Sequence, residues 1–198
     1  MRASVSTDVG HDTGCIEMPR CRKVFLGVVI LLLFPAGYFV FLWEQGNFHQ
    51  ITAGEAYRSA QLSGDEFAYY IKKYHIRSIL NLRGENRNER WYEDEIKVSK
   101  DYNIMHYDIP LSADREPAEE HVQKLLAIFK TAPRPILIHC KAGSDRSGLV
   151  AAMWKVIVDK ENKAEAGRQL YIFYGHVPIG GTSAMDNFFQ EWKPPAPD

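Results

Sequence analysis

The sequence has few cysteines and no excess of basic charge, and these two absences exclude several classes of protein. Three cysteines among 198 residues are too few and too unevenly spaced for a disulfide framework, and none stands in a cluster with zinc-ligand spacing. Lys and Arg number 24 against 25 Asp and Glu, so the net charge is −1 and does not favour nucleic acid as a partner. No Gly-x4-Gly-Lys-[Ser/Thr] motif is present, which excludes a Walker-type nucleotide loop.

Charge is also absent from a stretch of twenty residues near the N-terminus, 24–43. As a helix, this stretch is long enough to cross a bilayer core of about 30 Å, and we predict a transmembrane helix here. A buried helix of a soluble protein would carry a polar stripe. A cleaved signal peptide would have a shorter apolar core followed by small residues, whereas this stretch ends in Phe41-Leu42-Trp43.

Basic residues flank the predicted span on one side only. Arg20, Arg22 and Lys23 directly precede it, and the first Lys or Arg after it is Arg58. The positive-inside rule therefore predicts a cytoplasmic N-terminus and a C-terminal domain outside the cytoplasm, in the periplasm if the source is a Gram-negative bacterium. The predicted parts of this single-pass membrane protein are a disordered tail at 1–23, the membrane helix at 24–43, a folded domain at 44–193 and a short tail at 194–198.

Helices and strands alternate through the predicted folded domain. Apolar periodicity, capping residues and breaks at Gly or Pro define the elements. The predicted helices are 63–74, 91–101, 117–130, 147–158, 163–174 and 183–192, and the clearest predicted strands are 76–82, 104–107 and 136–138. This alternation predicts an α/β fold with a mostly parallel central sheet flanked by helices, in which ligands bind at the carboxyl ends of the strands.

One stretch, 135–148, combines a short apolar strand, a loop of small residues and a helix start. Amides of such a loop and of the first helical turn point at one spot, which suits a phosphate dianion or a thiolate. Cys140 follows the strand directly, and a cysteine in such surroundings has a lowered pKa. Arg146 offers a planar guanidinium that fits two phosphoryl oxygens. We therefore predict a phosphate-binding loop that carries a reactive thiol.

The pattern His139-Cys140-x5-Arg146-Ser147 resembles the signature of the cysteine-dependent protein-tyrosine-phosphatase superfamily. Within it, the chain is similar to the dual-specificity branch, and residues 57–61 resemble an opening segment of bacterial and plant members. The resemblance is to a bacterial, membrane-anchored type and covers nearly the whole predicted folded domain. It implies a protein-tyrosine-phosphatase-like three-layer fold and hydrolysis of phosphomonoesters without a metal or another cofactor.

The resemblance also implies roles for the loop residues. Cys140 would attack phosphorus and form a phosphocysteine, and Arg146 would hold the equatorial oxygens of the transferring group. Ser147 would hydrogen-bond the thiolate, and His139 would orient the loop, although a histidine at a strand end is often only a satisfied core residue. The substrate-binding residues implied are Lys141, Ala142, Gly143, Ser144, Asp145 and Arg146.

Three basic residues have two interpretations each. The sequence Cys-Lys-Ala-Gly resembles lipid-directed relatives, the phosphoinositide 3-phosphatases and the mitochondrial phosphatidylglycerophosphate phosphatases, so Lys141 would bind a polyanionic head group or simply face solvent. Arg58 and Arg83 would line the same cleft or donate structural hydrogen bonds to loop carbonyls. The residue types alone do not decide between these interpretations.

The reaction also needs a carboxylic acid that protonates the leaving oxygen. The superfamily takes it from a loop upstream of the cysteine, where Asp114 is the first candidate, Asp108 the second and Glu116 the third. Asp145, directly before the signature arginine, resembles an aspartate of myotubularin-like and Sac-type phosphatases, so proton transfer from inside the loop is a further hypothesis.

We therefore expect a membrane-anchored phosphatase that acts on phosphotyrosine or mixed phosphoprotein substrates. The alternative substrate is a phospholipid monoester such as phosphatidylglycerophosphate or a phosphoinositide. A silent phosphate-binding module is disfavoured because a binding protein needs no nucleophile. Rhodanese chemistry also uses a loop cysteine, but Asp114 and Arg146 suit phosphoryl transfer better.

Overall fold

A computed structural model describes residues 20–195 of the chain, which divides into two units, one ending at Tyr38 and the other beginning at Phe39. Helix α1, Arg20–Glu44, begins in the first unit and ends in the second. It covers the predicted membrane span, but no helix in the described part of the chain is both long and apolar enough to cross a membrane. The transmembrane helix therefore stays a prediction. Most of the two predicted tails, at 1–19 and 196–198, lies outside the described residues.

The second unit contains one five-stranded sheet, with the strand order β1-β2-β5-β3-β4. The strands are β1 (His49–Thr52), β2 (Ala56–Ser59), β3 (Ser78–Asn81), β4 (Met105–Asp108) and β5 (Ile136–His139). Strand β1 pairs antiparallel with β2, whereas the pairs β2/β5, β5/β3 and β3/β4 are parallel. The prediction of a mostly parallel sheet is confirmed.

Helices connect the strands close to the predicted positions. They are α2 (Gly64–Tyr74), α3 (Arg90–Asp101), α4 (Glu119–Thr131), α5 (Asp145–Ile157), α6 (Lys163–Ala166) and α7 (Ser183–Glu191). The start of α2 shows why the sequence was informative: Ser63 and Glu66 form a capping box, each side chain accepting a backbone N–H of the other residue.

The predicted helix at 163–174 is wrong beyond Ala166, where the chain continues as two 3-10 turns, Gly167–Leu170 and Ile172–Tyr174. The backbone carbonyl of Gln169 accepts a hydrogen bond of 2.7 Å from Arg58, so tertiary contact with a distant strand takes a carbonyl that a continuing helix would use internally. The amphipathic spacing alone could not reveal that Arg58 competes with the helix for this carbonyl.

Alternate residues of the strands pack on opposite faces of the sheet, as the period of two requires. Leu80 and Ile138 belong to a larger core with α4, α5 and α7, whereas Ile79 and Leu137 belong to a smaller core with α2. Helices therefore cover both faces, and the sheet is the middle of three layers. Helix α5 is the most deeply buried of them, because its residues from Ser147 to Trp154 are all inaccessible to solvent.

A buried ionic cluster joins α3 to strands β4 and β5. The Glu95 carboxylate has no solvent exposure, and its Oε1 lies 2.9 Å from His139 Nε2 and 2.7 Å from His106 Nε2. Burial opposes ionisation of Glu95, but the two histidines outweigh it and hold the pKa of Glu95 below its usual range. For His106, burial is likewise outweighed by hydrogen bonds to Asp108 and Glu95, which raise its pKa to about 9.

This cluster predicts a dependence of stability on pH. The folded-state pKa of His106 lies above its unfolded value of 6.5, so its contribution is complete below pH 6.5 and is lost as the pH rises through about 9. Between these two pH values, the wild-type protein should lose roughly 2 kcal/mol more free energy of unfolding than His106→Gln. Urea unfolding followed by circular dichroism measures the difference, with His121→Gln on α4 as the control. The same decrease in wild type and His106→Gln would contradict the assignment.

Candidate active site

Three parallel strands end together at one edge of the sheet, and Cys140 follows the middle one. Ser59 of β2 and Asn81 of β3 are both in register with His139, the last residue of β5. Cys140 is only 2% exposed at this edge, where open α/β sheets bind their ligands. We call residues 140–146 the signature loop. It ends in the first turn of α5, which begins at Asp145.

The sulfur of Cys140 has hydrogen-bonding partners on two sides. The backbone N–H of Gly143 donates to Sγ at 3.2 Å, and the hydroxyl oxygen of the buried Ser147 lies 3.5 Å from Sγ. Together with the positive end of the α5 dipole, these groups favour negative charge on the sulfur. The structure thus brings Cys140 and Ser147 together as a nucleophile and a stabilising hydroxyl would require.

Arg146, the last residue of the signature loop, has a guanidinium donor without a partner in the described chain. Its Nη1 donates to the carbonyls of Leu82 at 3.4 Å and Leu111 at 3.3 Å, which brings it between the β3 end and the loop after β4. Its buried Nε has no hydrogen-bond acceptor within the described chain. A buried donor of this kind costs free energy unless a ligand accepts its hydrogen bond, and an oxyanion held by the signature loop would do so.

Arg58 shapes the signature loop from behind. Its fully buried guanidinium donates through Nη2 to the carbonyls of Gly143 and Ser144, both at 2.9 Å, and through Nη1 to the backbone and side chain of Gln169. Burial lowers its pKa to about 10, so it remains a cation at neutral pH. Because the carbonyls bind Arg58, the loop amides are left for an anion. The structural interpretation of Arg58 is therefore the one that the geometry supports.

Asn47 holds the start of the same loop, a contact that the sequence did not suggest. Its Nδ2 donates to the carbonyls of Ala142 at 3.0 Å and Tyr174 at 2.9 Å. The neighbouring Gly143 has a positive φ of 73°, and a Cβ there would lie 2.6 Å from the backbone nitrogen of Ala60. Only glycine fits this turn, because both the dihedral angle and the space exclude a side chain.

Arg83 joins the site through the Glu95 cluster. Its Nη1 donates to Gln61 Oε1 at 2.9 Å, Gln61 in turn donates to Glu95, and the guanidinium carbon lies 3.4 Å from the centre of the Trp91 ring. Partial burial and then the charge of Arg146 lower the pKa of Arg83, so the two cations are electrostatically coupled. Arg83 thus adds positive potential near the signature loop without contacting its carbonyls.

Lys141, at the rim of the loop, is exposed, and its backbone carbonyl accepts a hydrogen bond from the amide of Gln61. The exposed side chain is compatible with a polyanionic head group and with solvent alike, so both interpretations of Lys141 remain open. Ala142 is exposed beside it, whereas Ser144 is buried.

Of the upstream carboxylates, Asp108 is committed to structural contacts. It accepts hydrogen bonds from Tyr92 at 2.7 Å and Asn81 at 2.8 Å, and His106 Nδ1 lies 3.4 Å away. These contacts outweigh burial and lower the pKa of Asp108, which disfavours it as an acid. Glu116 is exposed.

Asp114 lies in an exposed loop that reaches the active site through Leu111, whose carbonyl accepts from Arg146. Its side chain is 69% exposed and accepts a hydrogen bond from Ser112, which lowers its pKa. A general acid needs a raised pKa, and a bound phosphate dianion would raise it through like-charge repulsion. Asp114 remains the first candidate for the general acid because of its position in this loop, and not because of its pKa.

Asp145 contacts His176, which in turn contacts Asp186, and sequence reasoning missed both residues. His176 Nδ1 lies 2.7 Å from Asp145 Oδ1, and His176 Nε2 lies 2.8 Å from Asp186 Oδ2. His176 follows the second 3-10 turn, and Asp186 lies on α7. A histidine inside a predicted turn between glycines was the one available signal, since buried polar residues in turns need a partner.

Comparisons with known proteins agree with this geometry. A family described as "DSP-PTPase phosphatase fused to NAD+ Kinase" matches residues 44–184, more than half of the chain. Human dual specificity protein phosphatase CDC14C is 29% identical over 94 residues, which are 48% of this chain and 20% of that protein. The inositol diphosphatase SIW14 of Saccharomyces cerevisiae is 29% identical over 107 residues, which are 52% of this chain and 36% of that protein. The chain thus matches only a fifth to about a third of these relatives' lengths.

Solved structures share the fold. The catalytic core of SIW14 from S. cerevisiae superimposes with a TM-score of 0.61 at 21% identity, covering 74% of this chain and 85% of that one. TpbA from P. aeruginosa gives a TM-score of 0.55 at 18% identity, with the same coverage. At these identities the likeness concerns the fold alone, and it confirms the expected protein-tyrosine-phosphatase-like architecture.

The family match accounts for the features assembled at the sheet edge, namely a buried cysteine before a helix start, an arginine with an unpaired Nε and loop carbonyls bound by Arg58. It also confirms the resemblance to the cysteine-dependent superfamily over rhodanese chemistry. The chain belongs to the dual-specificity-type phosphatase family that matches residues 44–184.

Proposed function

We propose that the protein hydrolyses phosphotyrosine and other phosphomonoesters of protein substrates through a phosphocysteine intermediate. The observation that carries this proposal is the signature loop, in which the Gly143 amide and the Ser147 hydroxyl contact the Cys140 sulfur and the buried Nε of Arg146 has no acceptor within the described chain. These are the groups that in-line attack on phosphorus needs: an anionic nucleophile and a planar cation for the equatorial oxygens.

The proposed reaction has two steps. The Cys140 thiolate attacks phosphorus, the ester P–O bond breaks, and the leaving oxygen takes a proton from Asp114. Asp114, now a carboxylate, then removes a proton from water, whose oxygen attacks phosphorus while the S–P bond breaks and the thiolate returns. Ser147 stabilises that departing thiolate, and Arg146 with the loop amides holds the phosphoryl oxygens in both steps.

A lipid phosphate is the second candidate substrate, and one observation favours it. Tyr171, Ile172 and Ile179 are large apolar side chains exposed to solvent, 76% in the case of Ile179. They belong to the segment that contacts the signature loop through His176 and is joined to it through Asn47, which donates to the carbonyls of both Tyr174 and Ala142. Exposed apolar groups beside an active site suit an acyl chain or a membrane surface.

A substrate panel tests the function. The wild-type protein and Cys140→Ser are compared on a phosphotyrosine peptide, a phosphoserine peptide, phosphatidylglycerophosphate in vesicles and an inositol pyrophosphate. We expect the highest kcat/KM on the phosphotyrosine peptide and a loss of roughly 1,000-fold or more in Cys140→Ser, because a serine hydroxyl is a much weaker nucleophile than a thiolate.

Two outcomes of the panel would overturn parts of the proposal. Wild-type turnover by Cys140→Ser would exclude the phosphocysteine mechanism. A preference for the vesicle substrate that falls when Ile172 and Ile179 are changed to Ser would replace protein by lipid as the substrate. Met105→Ser, which alters an exposed apolar residue on β4, is the matched control for that pair.

Leaving-group dependence tests the general acid. Asp114→Asn should slow hydrolysis of phosphotyrosine about 100-fold and that of a fluorinated aryl phosphate much less, because an acidic phenol leaves without a proton. Asp145→Asn should change the rate of hydrolysis of both substrates by the same factor. Glu116→Gln, another exposed carboxylate of the same loop, is the control. An equal loss on both substrates in Asp114→Asn would remove Asp114 from the acid role.

We also propose that residues 24–43 anchor the protein in a membrane, with the catalytic domain outside the cytoplasm. The support is the uncharged sequence of this stretch, its helical conformation in α1, and the three basic residues that precede it. Deletion of 24–43 should then release the protein from membranes that retain the full chain in alkaline carbonate.

A β-lactamase fused to the C-terminus should protect cells from a β-lactam if the catalytic domain lies outside the cytoplasm. Replacing Arg20, Arg22 and Lys23 by Glu should reduce that protection, because the flanking charge sets the orientation. Full protection with the charge-reversed tail would contradict the topology, and release of the full chain by carbonate would contradict the anchor.

A further inference from the structure

A buried histidine stands between two carboxylates next to the signature loop. His176 is 1% exposed, and its two ring nitrogens lie 2.7 Å from Asp145 Oδ1 and 2.8 Å from Asp186 Oδ2. A neutral imidazole has one donor and one lone pair, so one of these short contacts would set a lone pair against a carboxylate. Both contacts are favourable only if both nitrogens carry protons. The geometry therefore indicates an imidazolium.

The electrostatic surroundings support the same protonation state. Burial opposes the charge, but the hydrogen bonds to Asp145 and Asp186 outweigh it and raise the pKa of His176. The charged groups that face the ring are these two carboxylates, from α5 and α7, and the guanidinium of Arg58 is coupled to Asp145 from β2. The proton on His176 should therefore persist to a higher pH than it does on an exposed histidine.

Asp145 presents a problem for a loop that binds phosphate. Its backbone amide opens α5 within the signature loop, so its carboxylate adds a negative charge to the same loop that would bind a dianion. Like charges repel, and an unrestrained carboxylate would also compete for the loop amides. In the structure both oxygens are occupied, Oδ1 by His176 and Oδ2 by the hydroxyl of Ser144, which donates at 3.2 Å.

His176 is itself held in place by its backbone neighbours. The carbonyl of Tyr174 accepts from Asn47, and the hydroxyl of Thr182 donates to the carbonyl of Val177 at 2.6 Å. Gly175, with a φ of 79°, ends the preceding 3-10 turn, and its amide donates to Ile172 at 2.8 Å. The imidazole is therefore presented to Asp145 by a segment tied down on both sides.

We propose that His176 is a positioning residue of the phosphatase site: clamped by Asp186, its ring restrains the carboxylate of Asp145 and cancels its charge, so that the signature loop can bind a phosphate dianion. This inference rests on the proposed function, because it assigns a residue to the same reaction. It also explains why the loop tolerates an aspartate directly before Arg146.

Rescue by a second substitution tests the proposal. His176→Leu should raise KM for a phosphotyrosine peptide about 10-fold with a smaller change in kcat, because Asp145 is left unneutralised. Adding Asp145→Asn should return KM to within about twofold of Asp145→Asn alone, since no charge then needs the histidine. His176→Gln, which keeps a donor but no charge, should resemble His176→Leu in KM. His121→Leu on α4 is the matched control.

Structural damage and a charge effect predict different results for the single and double variants. If His176 only tethers α7, His176→Leu and the double variant lose activity equally, and the proposal is overturned. Should His176→Leu fail to fold, His176→Gln and Asp186→Asn with thermal melting curves give the same comparison. An inactive wild-type protein would refute the proposed function instead, which keeps the two failures distinct.

The pH profile gives a second readout. In the wild type, KM should rise on the alkaline side as His176 loses its proton, and this rise should be absent in His176→Leu/Asp145→Asn. Both proteins act on the same substrate, so its ionisation is common to the two profiles. An identical alkaline rise in both proteins would contradict the charge role of His176.

Discussion

The active site depends above all on the guanidinium of Arg58, which acts on the signature loop without needing to contact the substrate. Arg58 is buried on β2, and its guanidinium hydrogen-bonds the carbonyls of Gly143 and Ser144 as well as Gln169. An amide cradle for an anion requires that the carbonyls of the same loop find donors elsewhere. Hydrogen bonds from a charged donor contribute about 1.5–3 kcal/mol each, so this one side chain offsets much of the strain of the loop. It also fixes the 3-10 turn that replaces the expected helix.

Two buried charge clusters flank the loop and mirror each other in composition. On one side a carboxylate, Glu95, lies between two imidazoles, those of His139 and His106. On the other side an imidazole, that of His176, lies between two carboxylates. A site that must attract a dianion cannot tolerate unpaired carboxylates in its walls, and a buried histidine gives Glu95 and Asp145 each a hydrogen-bonding partner of opposite charge when protonated. Both clusters also join helices to the loop, α3 on one side and α7 on the other.

The end of α1 belongs to the same unit as the catalytic residues. The amide of Asn47 donates to the carbonyl of Leu42 at 2.7 Å, while the Asn47 side chain holds Ala142 of the signature loop. A short run of backbone thus connects the last turn of α1 directly to the phosphate cradle.

The sequence by itself determined the features whose cause is local. The capping box at Ser63, the order of strands and helices, and the signature loop with Cys140 and Arg146 all follow from neighbouring residues and their periodicity. Only the tertiary structure decided the functions of residues that meet across long stretches of chain: Asn47 and Ala142 are 95 positions apart, Arg58 and Gly143 are 85, and Asp145 and His176 are 31. Burial turns such ordinary polar residues into obligatory partners, and burial is a property of the packed fold that no local pattern contains.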